Sequence, residues 1–348
     1  MKIAFTCALL ALAGGATLTT DYTKERALKI ESTFHLASEV TEMTRDGEAI
    51  QGGMKNDTTW HIVQQDEVQA HEGKKPTKIK RTYEKVGGES TRTFGENENK
   101  SDLESPFEGL TLQLAAEGDE VKVSVVDGKK PDHEGALEGH KLELALDALL
   151  PDKDVEKDAH WDLDSAQIKH ALGLDLRKAL YPPPPAPEGG GPGGGGGGGG
   201  RRGGMGRGGG MGGIPPDAEW SGKAKLVSLD EEVDGVKCAK IEIEIGAHGN
   251  LPEPQAGGGG RGRMLEPESG IASFANTYTI EAKGELYVAL EGKHPLKLEL
   301  EGTMGTESDR EMKMRNDDAT HKMHTRTEGK LTVKIQVSAA AAEKKEAK

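Results

Sequence analysis

Apolar and polar residues alternate with a period of two over most of this chain, and this period constrains the fold more than any other feature. The clearest case is residues 236–246, where Ile241, Ile243 and Ile245 alternate with charged residues. Successive side chains of a strand point to opposite faces, so the pattern predicts strands with one buried face. Only 34% of residues are apolar and 4% aromatic, so we expect a thin core under a single sheet face.

Turn signals divide the alternating segments into an antiparallel meander, which we predict to have about nine or ten strands. Three residue pairs with turn composition lie between alternating segments: Asp46-Gly47, Gly118-Asp119 and Asp234-Gly235. Residues 78–86 alternate less regularly, which favours a strand at the sheet edge. The polar residues 87–104 are predicted to form a loop.

Two segments near the middle of the chain change period. Residues 142–150 form a leucine-rich run that Pro151 ends, which predicts a short helix, although residues 142–146 would also suit a strand. In residues 165–181 four apolar residues recur at every fourth position, which is typical of one face of a helix. We expect one or both helices to cover the apolar face of a curved, half-barrel-like sheet.

The beginning of the chain has the composition of a secretory signal peptide. A basic residue, Lys2, precedes the uncharged apolar residues 3–13, and small residues follow at positions 14–16. The apolar run is too short for a membrane span. We therefore expect residues 1–20 to be removed, leaving an exported protein, periplasmic or extracellular, with no transmembrane segment. That location argues against ATP and nicotinamide cofactors as partners.

Residues 182–216 consist largely of proline and glycine and interrupt the alternation. Such a composition cannot bury apolar surface, so we predict a disordered insertion. Its arginines, Arg201, Arg202 and Arg207, resemble those of RNA-binding Gly-Arg segments. No aromatic residue accompanies them, however, and the net charge of the chain is −14, so we expect no nucleic-acid partner.

The Pro/Gly tract is predicted to interrupt one sheet domain and not to link two domains. A strand that needs a partner follows the tract, and a helix that needs a sheet to cover precedes it. Residues 21–181 and 217–338 would then be the two halves of one sheet domain. Residues 339–348 contain only alanine and charged residues and are predicted to form a disordered tail.

Three short stretches of the sequence are distinctive. They are residues 105–109 (SPFEG), residues 149–153 (LLPDK) followed by His160-Trp161, and residues 220–226 (WSGKAKL). Together they resemble an uncharacterised family of exported β-sheet proteins from planctomycete-type bacteria. The resemblance implies export and a curved antiparallel sheet, loosely similar to the half-barrels of periplasmic lipoprotein carriers. The family has no assigned activity, so the resemblance implies no site.

Few residues suggest site chemistry. Imidazole and thioether groups bind copper, which makes His321, Met323 and His324 weak metal candidates. In a strand, His321 and Met323 would share a face and His324 would point away. Their spacing fits no metal-site pattern, so we expect no metal or cofactor. Neither Gly-x-Ser-x-Gly nor His-Glu-x-x-His occurs, so we assign no catalytic residue.

Two functions remain open. The first is a non-catalytic interaction or structural module of the cell envelope, which binds an unknown protein partner. The second is a periplasmic carrier that binds a lipid or an acyl chain on the concave apolar face of the sheet. A carrier needs an open apolar cavity of roughly several hundred Å³, whereas a structural module is packed to ordinary density. The inner face of the sheet is therefore the feature that distinguishes the two functions.

Overall fold

The structure is a computed structural model that describes residues 16–23, 27–50, 53–133, 135–182, 214–215, 217–251, 271–313 and 319–340. The apolar part of the predicted signal peptide, nearly all of the Pro/Gly tract and most of the predicted tail lie outside the described residues. Within them, 67% of residues are in strands and 6% are helical, which confirms the mainly β prediction. Among the described helices none is long and apolar enough to cross a membrane.

The described residues contain thirteen strands in one antiparallel sheet, more than the nine or so expected from the alternation. The strands are β1 (Ala27–Arg45), β2 (Glu48–Ala49), β3 (Met54–Glu72), β4 (Lys75–Phe94), β5 (Asn97–Glu104), β6 (Thr111–Glu117), β7 (Glu120–Asp127), β8 (His160–Leu163), β9 (Trp220–Val233), β10 (Val236–Asn250), β11 (Ile271–Ala289), β12 (Pro295–Lys313) and β13 (Thr320–Ala339). The three predicted hairpin turns join β1 to β2, β6 to β7 and β9 to β10.

The sheet consists of two meanders that meet in its middle. The strand order is β7-β6-β4-β3-β1-β13-β12-β11-β10-β9-β8, with β2 paired to β1 and β5 paired to β4. The sheet is not closed on itself. The first and last long strands, β1 and β13, are neighbours along nearly their whole length, from Leu28 opposite Ala339 to Arg45 opposite Met323.

Alternate side chains of the long strands are buried and form the inner face of the sheet. On β10, Ile241, Ile243 and Ile245 are at most 5% exposed, while the intervening Glu242 and Glu244 are exposed. The outer faces carry cross-strand ion pairs, such as Lys240 with Glu285 at 2.7 Å. Both observations confirm the one-sided burial that the period of two predicts.

Three short helical elements cover part of the inner face. They are a 3₁₀ helix (Ala145–Leu149), α1 (Ser165–Ala171) and the single turn α2 (Arg177–Leu180). The Asp164 carboxylate accepts from the Gln167 backbone N–H at 2.8 Å, and the Gln167 amide oxygen accepts from the Asp164 N–H. This capping box fixes where α1 begins.

Both helix predictions need correction. The leucine-rich residues 142–150 are helical only at 145–149, because Leu142 and Leu144 precede the 3₁₀ helix as buried residues in non-helical backbone. The predicted helix over 165–181 is interrupted after α1. There Gly173 adopts a φ of +65°, a left-handed conformation that ends a helix.

The predicted loop over residues 87–104 is also wrong, because this segment contains the end of β4 and all of β5. The backbone of Gly88 lies so close to β3 that an added Cβ would be 2.1 Å from the Thr59 carbonyl oxygen. Glycine at this position permits the close approach of the two strands. Residues 78–86, predicted at an edge, lie in β4 between β3 and β6.

Residues 16–23, here called the N-terminal segment, belong to the folded structure. Ala16 exchanges two backbone hydrogen bonds with Val155, and Leu18 is 1% exposed. The Thr20 and Tyr22 hydroxyls donate to the buried carboxylate of Asp147 in the 3₁₀ helix. A chain that began at residue 21 would therefore lack a core side chain.

Candidate functional site

The covered half of the sheet is the part beneath the helical elements, taken on β1 as residues 27–34 and on β13 as residues 331–339. A cavity lies between its inner face and these elements. Its walls are mostly apolar and include Phe34, Trp60, Leu146, Leu172, Leu176 and Val333. Apolar walls with a few polar groups are the usual composition of a small-molecule site.

The cavity is narrow in this structure. The cavity has a volume of about 100 Å³, and the wider space that also includes the solvent at its mouth is about 1010 Å³. The smaller volume is below the roughly 300–1,000 Å³ of ordinary ligand pockets. A ligand that needs a pocket of ordinary size therefore fits only if the walls of the cavity move. The inner face of the covered half is therefore largely filled by its own side chains.

Arg177, the first residue of α2, lies in the wall of this cavity. Its guanidinium carbon is 5.7 Å from the centre of the Trp60 ring, within the range of a cation–π contact. Burial lowers the pKa of Arg177 to about 9, and Tyr181 opposes this effect. Sequence analysis missed Arg177, because a charged residue within an amphipathic helix pattern is normally on the solvent side.

Arg81 also lines the cavity, but its charge is compensated. Its Nε and Nη2 atoms donate to the two carboxylate oxygens of Asp66 at 2.8 and 2.7 Å, and both residues are 4% exposed. Burial lowers the pKa of Arg81, but the Asp66 carboxylate outweighs burial and raises it overall. This pair is a bidentate buried ion pair.

Two buried histidines flank the same region. His140 packs between Tyr83 and Phe107, and burial, with a contribution from the charge of Arg81, lowers its pKa to about 3. It is therefore neutral at physiological pH. His170, in α1, lines the cavity; its Nδ1 is 3.1 Å from Asp175, and its buried Nε2 has no hydrogen-bond partner.

A second, larger space lies on the distal half, taken on β1 as residues 36–45 and on β13 as residues 320–330. This groove has a volume of about 980 Å³. Its walls are polar and include Glu39, Lys55, Thr279, Thr303, Glu328 and Lys330. These side chains alternate with the buried ones, so the groove is on the outer face of the sheet.

The three weak metal candidates lie on β13 in the distal half. The Nδ1 atom of His321 is 2.7 Å from Asp46, and the Nδ1 atom of His324 is 2.8 Å from Asp309. Opposite them in the ladder, Arg310 pairs with Met323. Within the described residues, no group of three or more His, Cys, Asp or Glu side chains is arranged to hold a metal ion.

Cys238 lies in β10 with its side chain fully buried. Burial raises the pKa of its thiol, the reverse of what a nucleophilic cysteine needs. Cys238 does not line the cavity, whose polar side chains include Arg81, Glu143, His170 and Arg177. No protein-family model matches the sequence, and no match was found among curated proteins.

Proposed function

We propose that this protein is an exported, non-catalytic binding protein that holds an apolar ligand between the sheet and its helical cover. The observation that carries the proposal is the cavity of the covered half, with an apolar wall and a guanidinium that is paired with no carboxylate among the described residues. An unpaired guanidinium in an apolar wall is energetically unfavourable, because it loses hydration without gaining a counter-ion. A largely apolar ligand with one polar end that contacts the guanidinium would offset that cost.

The narrow cavity means that a long ligand needs the helical cover to move. The α2 turn is the part best suited to this, since it has only four residues, far fewer than a helix needs to be stable alone. Its C-terminal end is held by two side-chain bonds. Ser105 donates to the Leu180 carbonyl, and Tyr181 donates to the Gly87 carbonyl at 3.1 Å.

Native mass spectrometry of protein purified gently from its own cell envelope tests this proposal. A reproducible extra mass of lipid size is the expected result, and a clean apo mass would count against it. A Leu172→Phe variant, which fills the cavity wall, should lose the extra mass. Thr303→Phe, which adds the same ring in the distal groove, should keep it and serves as the control.

The groove of the distal half favours a second candidate function, a module that docks a polar partner on the outer face. Its 980 Å³ is of ligand size, and its charges of both signs suit a polar surface. Hydrogen exchange after addition of an envelope extract distinguishes the two functions. Protection confined to residues 303–307 of β12 and 326–330 of β13, which line the groove, would support docking. Protection of α1 and α2 would support the apolar ligand.

A further inference from the structure

The two arginines in the wall of the covered half differ in their pairing with carboxylates. Arg81 is neutralised by Asp66 through two hydrogen bonds. Arg177 makes no ion pair within the described part of the chain, and its guanidinium lies over the Trp60 ring. Glu143 also lines the cavity, and no ion pair joins it to Arg177. One cation of the wall is thus without a counter-ion.

The Trp60 ring holds the Arg177 guanidinium at the cavity wall. The ring is itself fixed by edge-to-face packing on Phe34, with 5.7 Å between ring centres. A guanidinium that lies on an aromatic face still has N–H groups along its edge, and these fit the two oxygens of a carboxylate. The site therefore has a planar donor group beside an apolar surface.

A second polar atom in the wall also lacks a partner. The Nε2 atom of His170 is buried and unbonded, while Asp175 holds the other ring nitrogen. Buried polar atoms without hydrogen bonds are uncommon in native proteins. Because Nδ1 donates to the Asp175 carboxylate, Nε2 of the neutral ring is an acceptor, and its partner would be a hydroxyl or N–H donor rather than a carboxylate.

We infer that the ligand is an amphiphile with a single carboxylate, a fatty acid, whose head group pairs with Arg177 and whose chain lies against Phe34, Leu172 and Val333. This inference rests on the proposed function and specifies its ligand. A monoanion matches the one uncompensated cation. A phosphate monoester would bring a second negative charge into the apolar wall, and a neutral lipid would leave Arg177 unpaired.

The test is isothermal titration of the full chain with three probes that share one chain length: dodecanoate, dodecanol and dodecyl phosphate. We expect dodecanoate to bind most tightly. Arg177→Met should weaken dodecanoate binding by about 10- to 100-fold, the range for hydrogen bonds to a charged group, and leave dodecanol binding unchanged. The affinity of Arg177→Lys for dodecanoate should lie between those of the wild type and Arg177→Met, because lysine keeps the charge but lacks the planar set of donors.

Arg326→Met is the matched control, because Arg326 lies in the distal half and is half-exposed beside Glu328. It should leave the affinities for all three probes unchanged. Thermal melting of each variant verifies folding. Equal binding of dodecanoate and dodecanol, unaffected by Arg177→Met, would overturn the carboxylate inference and leave the proposed function in place. Tightest binding of dodecyl phosphate would also overturn the inference, and binding of none of the probes would overturn both.

Discussion

The covered and distal halves of the sheet are made by the same strands but differ in the size of their inner side chains. On β1 and β13 the covered half presents Phe34 and Val333, whereas the distal half presents Ser38 opposite Gly329. Large apolar side chains can hold a helical layer by burial of area. In the distal half, a Cβ added to Gly329 would be 2.9 Å from the Cγ atom of Met304 and 3.1 Å from the Cβ atom of Ser38, so these side chains fill the space above it.

This difference shows that the period of two predicts where strands form, but not which half of the sheet the helical elements cover. Both halves alternate equally well, yet the described helical elements lie over one of them. In the covered half, large inner side chains such as Phe34 and Trp60 face the helical elements, and the apolar cavity of about 100 Å³ lies between them. The polar groove of about 980 Å³ belongs to the other half. Each prediction below contrasts the two halves.

The largest effect is expected from breaking the ion pair of the covered half. Arg81→Met should lower the free energy of unfolding by about 3–5 kcal/mol, because it leaves the Asp66 carboxylate buried and uncompensated. Urea unfolding followed by circular dichroism measures this loss. A loss of less than about 1 kcal/mol, the size expected for an exposed pair, would contradict the burial of this pair.

The N-terminal segment should contribute nearly as much to the stability of the covered half. Leu18→Ala should lower the free energy of unfolding by about 2–5 kcal/mol, because it removes a buried side chain and leaves a cavity. Val126→Ala is the control, since Val126 is 57% exposed and its loss should change stability by about 0.5 kcal/mol or less. If the two variants melt at the same temperature, the segment does not pack as described.

Asp147 should make the stability of the covered half depend on pH. Burial raises the pKa of this carboxyl to about 6, with Glu143 adding to the effect and bonds from Thr20 and Tyr22 opposing it. Because the folded-state pKa is raised, the contribution of Asp147 to stability is fully present below its unfolded pKa, near 4. It is lost as pH rises through about 6. The loss is roughly 3 kcal/mol.

Unfolding measured from pH 4 to pH 7 tests this dependence. Asp147→Asn removes the titrating group, so the profile of the variant should be flatter than that of the wild type by the same amount. Asp102→Asn, at an exposed position of β5, is the control and should leave the wild-type slope unchanged. A variant profile as steep as the wild-type profile would assign the pH dependence to another group.

The smallest effect is expected from an ion pair of the distal half. Lys55 lies 3.0 Å from Glu39 at the groove, and both side chains are about half exposed. Lys55→Met should change the free energy of unfolding by about 1 kcal/mol or less, because solvent screens the pair. A loss comparable to that of Arg81→Met would show that the groove is far less accessible to water than its walls indicate.

Much of the sheet could be predicted from the sequence, because alternation and turn composition are local signals. The segment 87–104 could not, since its residues are polar on both faces and its strands are held by pairing of the backbone with β3 and β4. Pairing of this kind overrides local propensity. The single helix expected over 165–181 failed for a different reason, because Gly173 adopts a left-handed conformation that ends α1.

The candidate site was less predictable than the fold. Arg81 did give a signal, since it shares one side of its strand with Ile79 and Tyr83, and a charged residue in an apolar stripe requires a buried partner. Arg177 gave none, because its contact with Trp60 joins residues distant in sequence. The expectation that the three weak candidates on β13 bind no metal stays a prediction, and so does export.

The pairing of β1 with β13 has a consequence for the order in which the molecule assembles. A chain is synthesised from its N-terminus, so β1 is among the first strands made and β13 is the last. Until β13 arrives, β1 and β12 each have an unpaired edge in what will become the centre of the sheet. Such edges readily pair with other copies. If synthesis is delayed before β13 is made, copies of the chain should therefore aggregate through β1 and β12 in the middle of the sheet, and not through the edge strands β7 and β8.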